Sequence, residues 1–386
     1  MNFELTPEQV LLRDTLRRFL RKTYSHSRRR ETIVSPSGWR REIWNAFAQE
    51  LGILGAALPA RLGGLDGGAI ETAIVMEEFG RCLVVEPYLE SAVIGGAVLK
   101  HWDSARAEAL CVELVAGRAI FALANGGRRA GQGRGVGARR DGGIFLLDGR
   151  RDVVTAAPWA THLIVSARAS DDHGDAGATL LFVVDSTAPG VALRSYRTID
   201  GRRAADVQFD NVRVERCDLV ASGTPASALL DTVQDGAIVA VCAEAVGCMR
   251  SVLDETVAYA RERRQFGVPI AGFQVLQHRM ADMYMALEQS VSMLYMAVSK
   301  LDQGPCERMM AVSAAKAHIA GACRFVAQSA IQIHGAMGVS DGMAVGAYFK
   351  RMMVIENQFG TADDHAARYE ALSFGTDFLR PPAGSD

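Results

Sequence analysis

Between Arg261 and Met283 the chain reads RERRQFGVPIAGFQVLQHRMADM. Apolar positions from Ala237 to Tyr259 recur at helical spacing, and Gly267 followed by Pro269 predicts a stop, since glycine relieves the backbone and proline cannot continue the ladder. The sharp corner that results gathers Arg263, Arg264, Phe266 and Gln274. It offers a planar cation for a phosphate, an aromatic face, and an amide for hydrogen bonding. Such a set suits the pyrophosphate and adenine of a dinucleotide. It equally suits a helical hairpin with solvated arginines and a core phenylalanine.

The elements that must hold this corner are bounded by the whole chain. Its 386 residues, 49% of them hydrophobic, allow two or three domains with a sizeable core. A formal net charge of −2 argues against a globally basic nucleic-acid binder. No apolar run approaches the ~20 residues that span a bilayer, and MNFELTPEQ lacks the basic flank and apolar core of a signal peptide, so a soluble cytosolic protein is expected. Seven scattered cysteines without a CxxC pair read as reduced core thiols, and the dispersed histidines form no metal-binding spacing.

In chain order, Thr6-Pro7-Glu8-Gln9 reads as a capping box that opens an amphipathic helix. Trp44, Phe47 and Leu51 share a later helical face, and a glycine-punctuated loop over 52–68 precedes a helix through Val75, Met76 and Phe79. From about Ile120 to Val214 short apolar runs alternate with Gly, Asp and Pro, which predicts an antiparallel sheet or small barrel. Strands are expected at 120–124, 144–147, 162–167, 179–184 and 205–209. The arginine-glycine segment 125–140 is expected as a mobile surface loop rather than an RNA-binding tail. From Ser227 onward, helical spacing returns in about four long runs. The expected fold class is therefore α+β: a helical domain over 1–117, a β domain over 118–222 and a helical bundle over 223–386.

The pattern RxxFGxPIxxFQxxQHxxADM from Arg263 to Met283 resembles the signature of the acyl-CoA dehydrogenase family, and Gln332-Ile333-His334-Gly335-Ala336-Met337-Gly338 resembles that family's second signature. The acidic helix ending Glu77-Glu78-Phe79-Gly80 is similar to the family's N-terminal domain, and the domain order matches. The resemblance implies FAD-dependent α,β-dehydrogenation of an acyl-CoA thioester: a base removes the α proton while the β hydride passes to the flavin. It further implies that Arg263, Phe266, Gln274, Gln332, Gly335 and Ala336 hold the adenine and pyrophosphate arm of a neighbouring subunit's FAD, with Thr155 and Thr361 as further cofactor contacts. In the family the acceptor is often an electron-transfer flavoprotein.

The family's proton acceptor is not where the resemblance places it. One branch carries Glu before Gly-Thr, and here that position is Phe359, followed by Gly360-Thr361. A second branch carries Glu at the position that is Ala237 here, followed by an arginine that is Ile238 here. Glu244, the one carboxylate between Asp235 and Asp254, shares a helical face with Ala237 and is the candidate catalytic base. The seven-residue offset corresponds to ~10 Å along the helix, and a core Glu paired with a bundle arginine is the competing reading. His334, His365 and His278 are expected to be structural.

In the β domain the family's Thr-Glu-Pro and Trp-Ile-Thr are replaced by Ala124-Asn125-Gly126 and Val153-Val154-Thr155. Such departures, with Cys242–Gly247, Val275–His278 and Tyr348–Arg351, resemble the small subunit of pimeloyl-CoA dehydrogenase and related bacterial enzymes, some of which share each flavin between two unlike chains. A homo- or heteromeric acyl-CoA dehydrogenase subunit is the expected function. A non-catalytic partner that completes another chain's FAD site and a flavin monooxygenase on the same scaffold are the alternatives.

Overall fold

The computed structural model describes residues 4–126, 135–170, 177–340 and 342–374. Contacts divide the chain into two units, one formed by Leu11–Val75 with Val84–Ala237, the other by Met76–Leu83 with the chain from Ile238 onward and the start of the first helix.

Helix α1 (Pro7–Thr23) opens on the expected capping box: the Thr6 amide donates to Gln9 Oε1 at 3.0 Å and the Gln9 amide to Thr6 Oγ1 at 3.3 Å. In the first unit α2 (His26–Val34) and α3 (Arg41–Gln49) follow, then a π-helical turn (Leu89–Gly95), α5 (Gly96–Lys100) and α6 (Ala105–Val115); α4 (Ala69–Cys82) begins here. Trp44 and Phe47 on α3 are fully buried, and the Trp44 indole donates to the Gly117 carbonyl at 2.9 Å.

The sheet of this unit has eight strands: β1 (Phe121–Ala124), β2 (Gly137–Asp141), β3 (Ile144–Thr155), β4 (His162–Ala169), β5 (Thr179–Asp185), β6 (Val191–Arg197), β7 (Arg203–Glu215) and β8 (Leu219–Ser222). The path runs β6-β7-β3-β2-β4-β5-β8, with β1 also on β4. Most pairings are antiparallel as the turns predicted, but β1 and β2 both run parallel to β4. Central β4 is buried on both faces, which its continuous LIVSA run permits, whereas edge strand β6 exposes Arg194 and Arg197. The loop expected over 125–140 ends as a strand, because Gly137–Asp141 pairs with Ile144–Asp148; 127–134 lie outside the described residues. Helices and sheet are tied by arginine: Arg29 donates to the Asp200 carbonyl and Arg203 to the Ser35 carbonyl, each at 2.8 Å.

The second unit is helical. Helix α7 (Gly223–Glu262) enters it, a two-strand hairpin of β9 (Arg264–Gln265) and β10 (Val268–Pro269) leads into α8 (Gln274–Lys300), and α9 (Pro305–His334) returns. The fourth run is split into α10 (Val345–Asn357) and α11 (Ala362–Phe374) by the turn 358–361. Contrary to the sequence expectation, α7 holds a stretch long and apolar enough to cross a bilayer by length and composition. Of that stretch 83% is buried inside the protein, as befits a core helix. It is buried on every side from Ile238 to Met249, so the α4 segment reaches it only through glycine. A Cβ on Gly80 would lie 2.0 Å from the Glu244 carbonyl oxygen, and one on Gly247 would lie 1.9 Å from that of Glu77.

Candidate active site

The corner after α7 is tighter than a helix stop. Phe266 (φ 53°) and Gly267 (φ 84°) are both left-handed, and together they close a two-residue antiparallel turn in which Val268 pairs with Gln265 and Pro269 with Arg264. The turn pushes the Phe266 ring outward to 92% exposure, so it is no core phenylalanine. It meets the Phe273 ring edge-on at 6.2 Å. Arg263 ends the helix with its amide bonded to the Tyr259 carbonyl, and Gln274 opens α8. Both side chains are exposed, and among the described residues neither makes an ion pair or hydrogen bond.

At the far end of α9 the second signature forms the helix terminus. Gly335 caps it at φ 57°, ψ −139°, a backbone state open to glycine, and the 3₁₀ turn Gly335–Val339 follows. Gln332, Gly335 and Ala336 are exposed. Beneath them His334 is buried and stacked on Tyr259 at 4.3 Å; its Nδ1–H donates to the Ala330 carbonyl at 2.8 Å, and burial lowers its pKa. An exposed ring, an unanswered guanidinium, two unanswered amides and an open glycine backbone are donors and surfaces of the kind a nucleotide arm takes up. The residues present thus fit the FAD that the signature implies. Thr155 ends β3 in the first unit, half-buried beside left-handed Ala156. Thr361, also half-buried, caps α11, its hydroxyl donating to Asp364 Oδ2 at 2.7 Å.

Glu244 lies fully buried on α7, and both its oxygens are engaged by one guanidinium: Arg351 Nε donates to Oε1 and Nη2 to Oε2, each at 2.7 Å. Arg351 is itself buried and reaches on to Gln358 Oε1 at 3.2 Å. This bidentate pair is the geometry of the bundle-arginine reading. Phe359, at the position where one family branch carries its base, is half-buried with φ 61°. Ala237 is fully buried.

Two groups here escape sequence reasoning. Lys316 on α9 is buried, its ammonium donating to the carbonyls of Ile355 at 2.9 Å and of Glu356 and Gly360 at 3.0 Å each; burial lowers its pKa. Glu255 on α7 has its carboxyl pKa pushed up to about 7 by burial and by neighbouring Asp254. Neither carries a motif. A lysine reads as exposed unless its partners are known, and those partners lie about forty residues downstream.

Family models match in sequence order: "Acyl-CoA dehydrogenase, N-terminal domain" over residues 6–117, "middle domain" over 124–212 and "C-terminal domain" over 236–368. The chain belongs to the acyl-CoA dehydrogenase family, whose members are oxidoreductases that use FAD. It is 27% identical to a probable acyl-CoA dehydrogenase, YngJ, of Bacillus subtilis, covering 94% of this chain and 97% of that one. A chain of the ChsE4-ChsE5 complex from Mycobacterium tuberculosis superposes with a TM-score of 0.87 at 27% identity, covering 99% of this chain and 100% of that one. A glutaryl-CoA dehydrogenase from Mycobacterium smegmatis in complex with FADH2 shares the fold, with a TM-score of 0.85 at 20% identity over 97% of each chain.

Proposed function

We propose that this chain serves the FAD-dependent α,β-dehydrogenation of an acyl-CoA thioester to the trans-2-enoyl-CoA, as one of two unlike chains in a heteromer. The observation that carries this reading is the contrast between two regions of one helical unit. The six residues that the resemblance implies for the flavin arm are all exposed, while Phe359 stands at the base position in the turn 358–361. Support comes also from the likeness to a chain of a two-name complex.

In this reading FAD, when bound, supplies the hydride acceptor, and an electron-transfer flavoprotein receives the electrons. Arg263 would neutralise the pyrophosphate, Phe266 would offer its exposed ring to the adenine, and Gln274 and Gln332 would hydrogen-bond polar edges where Gly335 and Ala336 leave the backbone open. Thr361 would add a contact from the same unit, and Thr155 is the further contact that the resemblance implies. The α proton must go to a carboxylate that faces the thioester. Glu244 is the candidate named from the sequence, but its bidentate bond to Arg351 favours a structural role, and we assign the acceptor to the partner chain.

The visible absorption spectrum, converted to FAD per polypeptide, tests the heteromer. Protein produced alone should be nearly colourless and should gain flavin on co-production with its partner; a full complement of FAD in the lone chain contradicts the reading. Glu244→Gln in the flavin-loaded protein should leave substrate-driven flavin bleaching within about threefold of the parent. Loss of bleaching with flavin still bound would make Glu244 the base.

A further inference from the structure

The turn between α10 and α11 is held in a way that neither its exposure nor its length requires. Helix α10 ends with carbonyls that lack intrahelical partners. The Lys316 ammonium closes one of them, Glu356, adds a second bond to the Ile355 carbonyl, which also accepts from the Gln358 amide at 3.2 Å, and spends its third N–H on the Gly360 carbonyl three residues beyond the helix end at Asn357. All three donors of a buried cation are thereby committed to one turn. Gln358, the first residue past the helix, is tied through Arg351 to Glu244 on α7. The Phe359 carbonyl accepts from His365 Nε2 at 3.1 Å, and His365 is buried. Thr361 and Asp364 bond each other at the start of α11.

Between these ties sits Phe359, an aromatic residue at φ 61°. Left-handed backbone costs a non-glycine residue about 1–3 kcal/mol and persists where the surroundings over-determine it. Here a fixed group lies on each side: the Gln358 side chain before, the Gly360 carbonyl after, and the Phe359 carbonyl itself. Free of those ties, the residue would relax to an ordinary conformation and its ring would swing away.

We infer that Lys316 is a positioning residue: it locks the turn 358–361 so that the Phe359 ring is presented in one orientation as a wall against the acyl group of the thioester. The inference rests on the proposed acyl-CoA function for what the ring meets, and on the contacts of Lys316 alone for how the ring is held. Phe359 is then the specificity determinant and Lys316 acts through it.

The test uses the flavin-loaded protein, with its partner chain where one is needed. Hydrogen exchange is followed by peptide, and kcat/KM is measured over straight-chain acyl-CoAs from butyryl to palmitoyl, for the parent, Lys316→Met, Gln358→Ala and Phe359→Leu. Lys316→Met should speed exchange at 358–361 about tenfold or more while peptides of α7 and α8 stay near the parent. It should move the chain-length preference in the same direction as Phe359→Leu, by about fivefold in the ratio of long to short substrate. Gln358→Ala, which leaves Lys316 and the Glu244–Arg351 pair in place, should do the same more weakly and remains decisive if Lys316→Met does not fold. Exchange that rises evenly through the helices, or a loosened turn with unchanged preference, overturns the inference. A parent protein that turns over none of the substrates refutes the acyl-CoA reading, and the exchange pattern still decides whether Lys316 holds the turn.

Discussion

Two buried charges, Glu244 and Arg351, define the chemistry available at the level of single residues. With both oxygens of one bonded to the guanidinium of the other, each draws its charge compensation from its partner. Removing one leaves the other's charge buried without its counter-ion, at a cost of about 3–5 kcal/mol, whereas an apolar pair of similar volume is often neutral or stabilising. Chemical denaturation should therefore show Glu244→Met and Arg351→Met each strongly destabilised, and the double variant closer to the parent than either. Additive losses would show that the pair is not an energetic unit. Glu255 makes a different prediction. Its carboxyl titrates at about 7 in the fold, pushed up by burial and by Asp254, against an ordinary carboxylate value when unfolded. A raised carboxyl pKa means the folded state holds the proton more tightly, so stability falls as pH rises through the window between the two values and the full penalty stands above 7. Glu255→Gln should raise the denaturation midpoint at pH 8 and have much less effect at pH 4.5; equal gains at both would refute the shift.

At the scale of elements, the crossing of α4 and α7 depends on two glycines rather than on interlocking side chains. A methyl on Gly247 would sit 1.9 Å from the Glu77 carbonyl oxygen, backbone that cannot swing aside. Gly247→Ala should cost about 1–3 kcal/mol or more by overpacking. It should also displace Glu77 from its 3.2 Å bond to Arg250, a change visible in the melting temperature. How much of this was legible in the sequence depends on whether the signal was local. The capping box at Thr6, the strands with continuous apolar runs and the stop at Gly267 are short-range features and appear where expected. Strands β2 and β6 carry arginines and lie outside any alternating pattern, because β2 is held by partners on both sides and β6 faces solvent at the edge. The tight hairpin lacks the Asn-Gly signal, since Phe266 occupies its first left-handed position. At the candidate site, the motif singled out Arg263, Phe266, Gln274, Gln332, Gly335 and Ala336, and all six are exposed. The Arg351 partner of Glu244 was not legible, as it lies 107 residues away and only packing brings it there.

For the whole molecule, the telling feature is apolar surface left open on α8, where Val275 is 70%, Tyr284 55%, Met285 53% and Tyr295 41% exposed. Tyr284, Met285 and Tyr295 fall within about 100° of one another around the helix, with Val275 on the opposite side, and an isolated chain has no reason to leave such an arc wet. Sedimentation of Tyr284→Asp combined with Met285→Lys should show smaller particles than the parent, with flavin content falling in step. An unchanged sedimentation coefficient would remove α8 from the assembly surface. The hairpin at 264–269 adds a consequence for handling the protein. Two adjacent arginines stand on a projecting turn, each an open invitation to trypsin, and a single cut there severs α7 from α8. Nucleotide stacked on Phe266 would cover that bond. The rate at which trypsin nicks the chain is therefore a clock for assembly: fast in a newly made, flavin-free polypeptide and slow once the cofactor and the neighbouring subunit have closed over the turn.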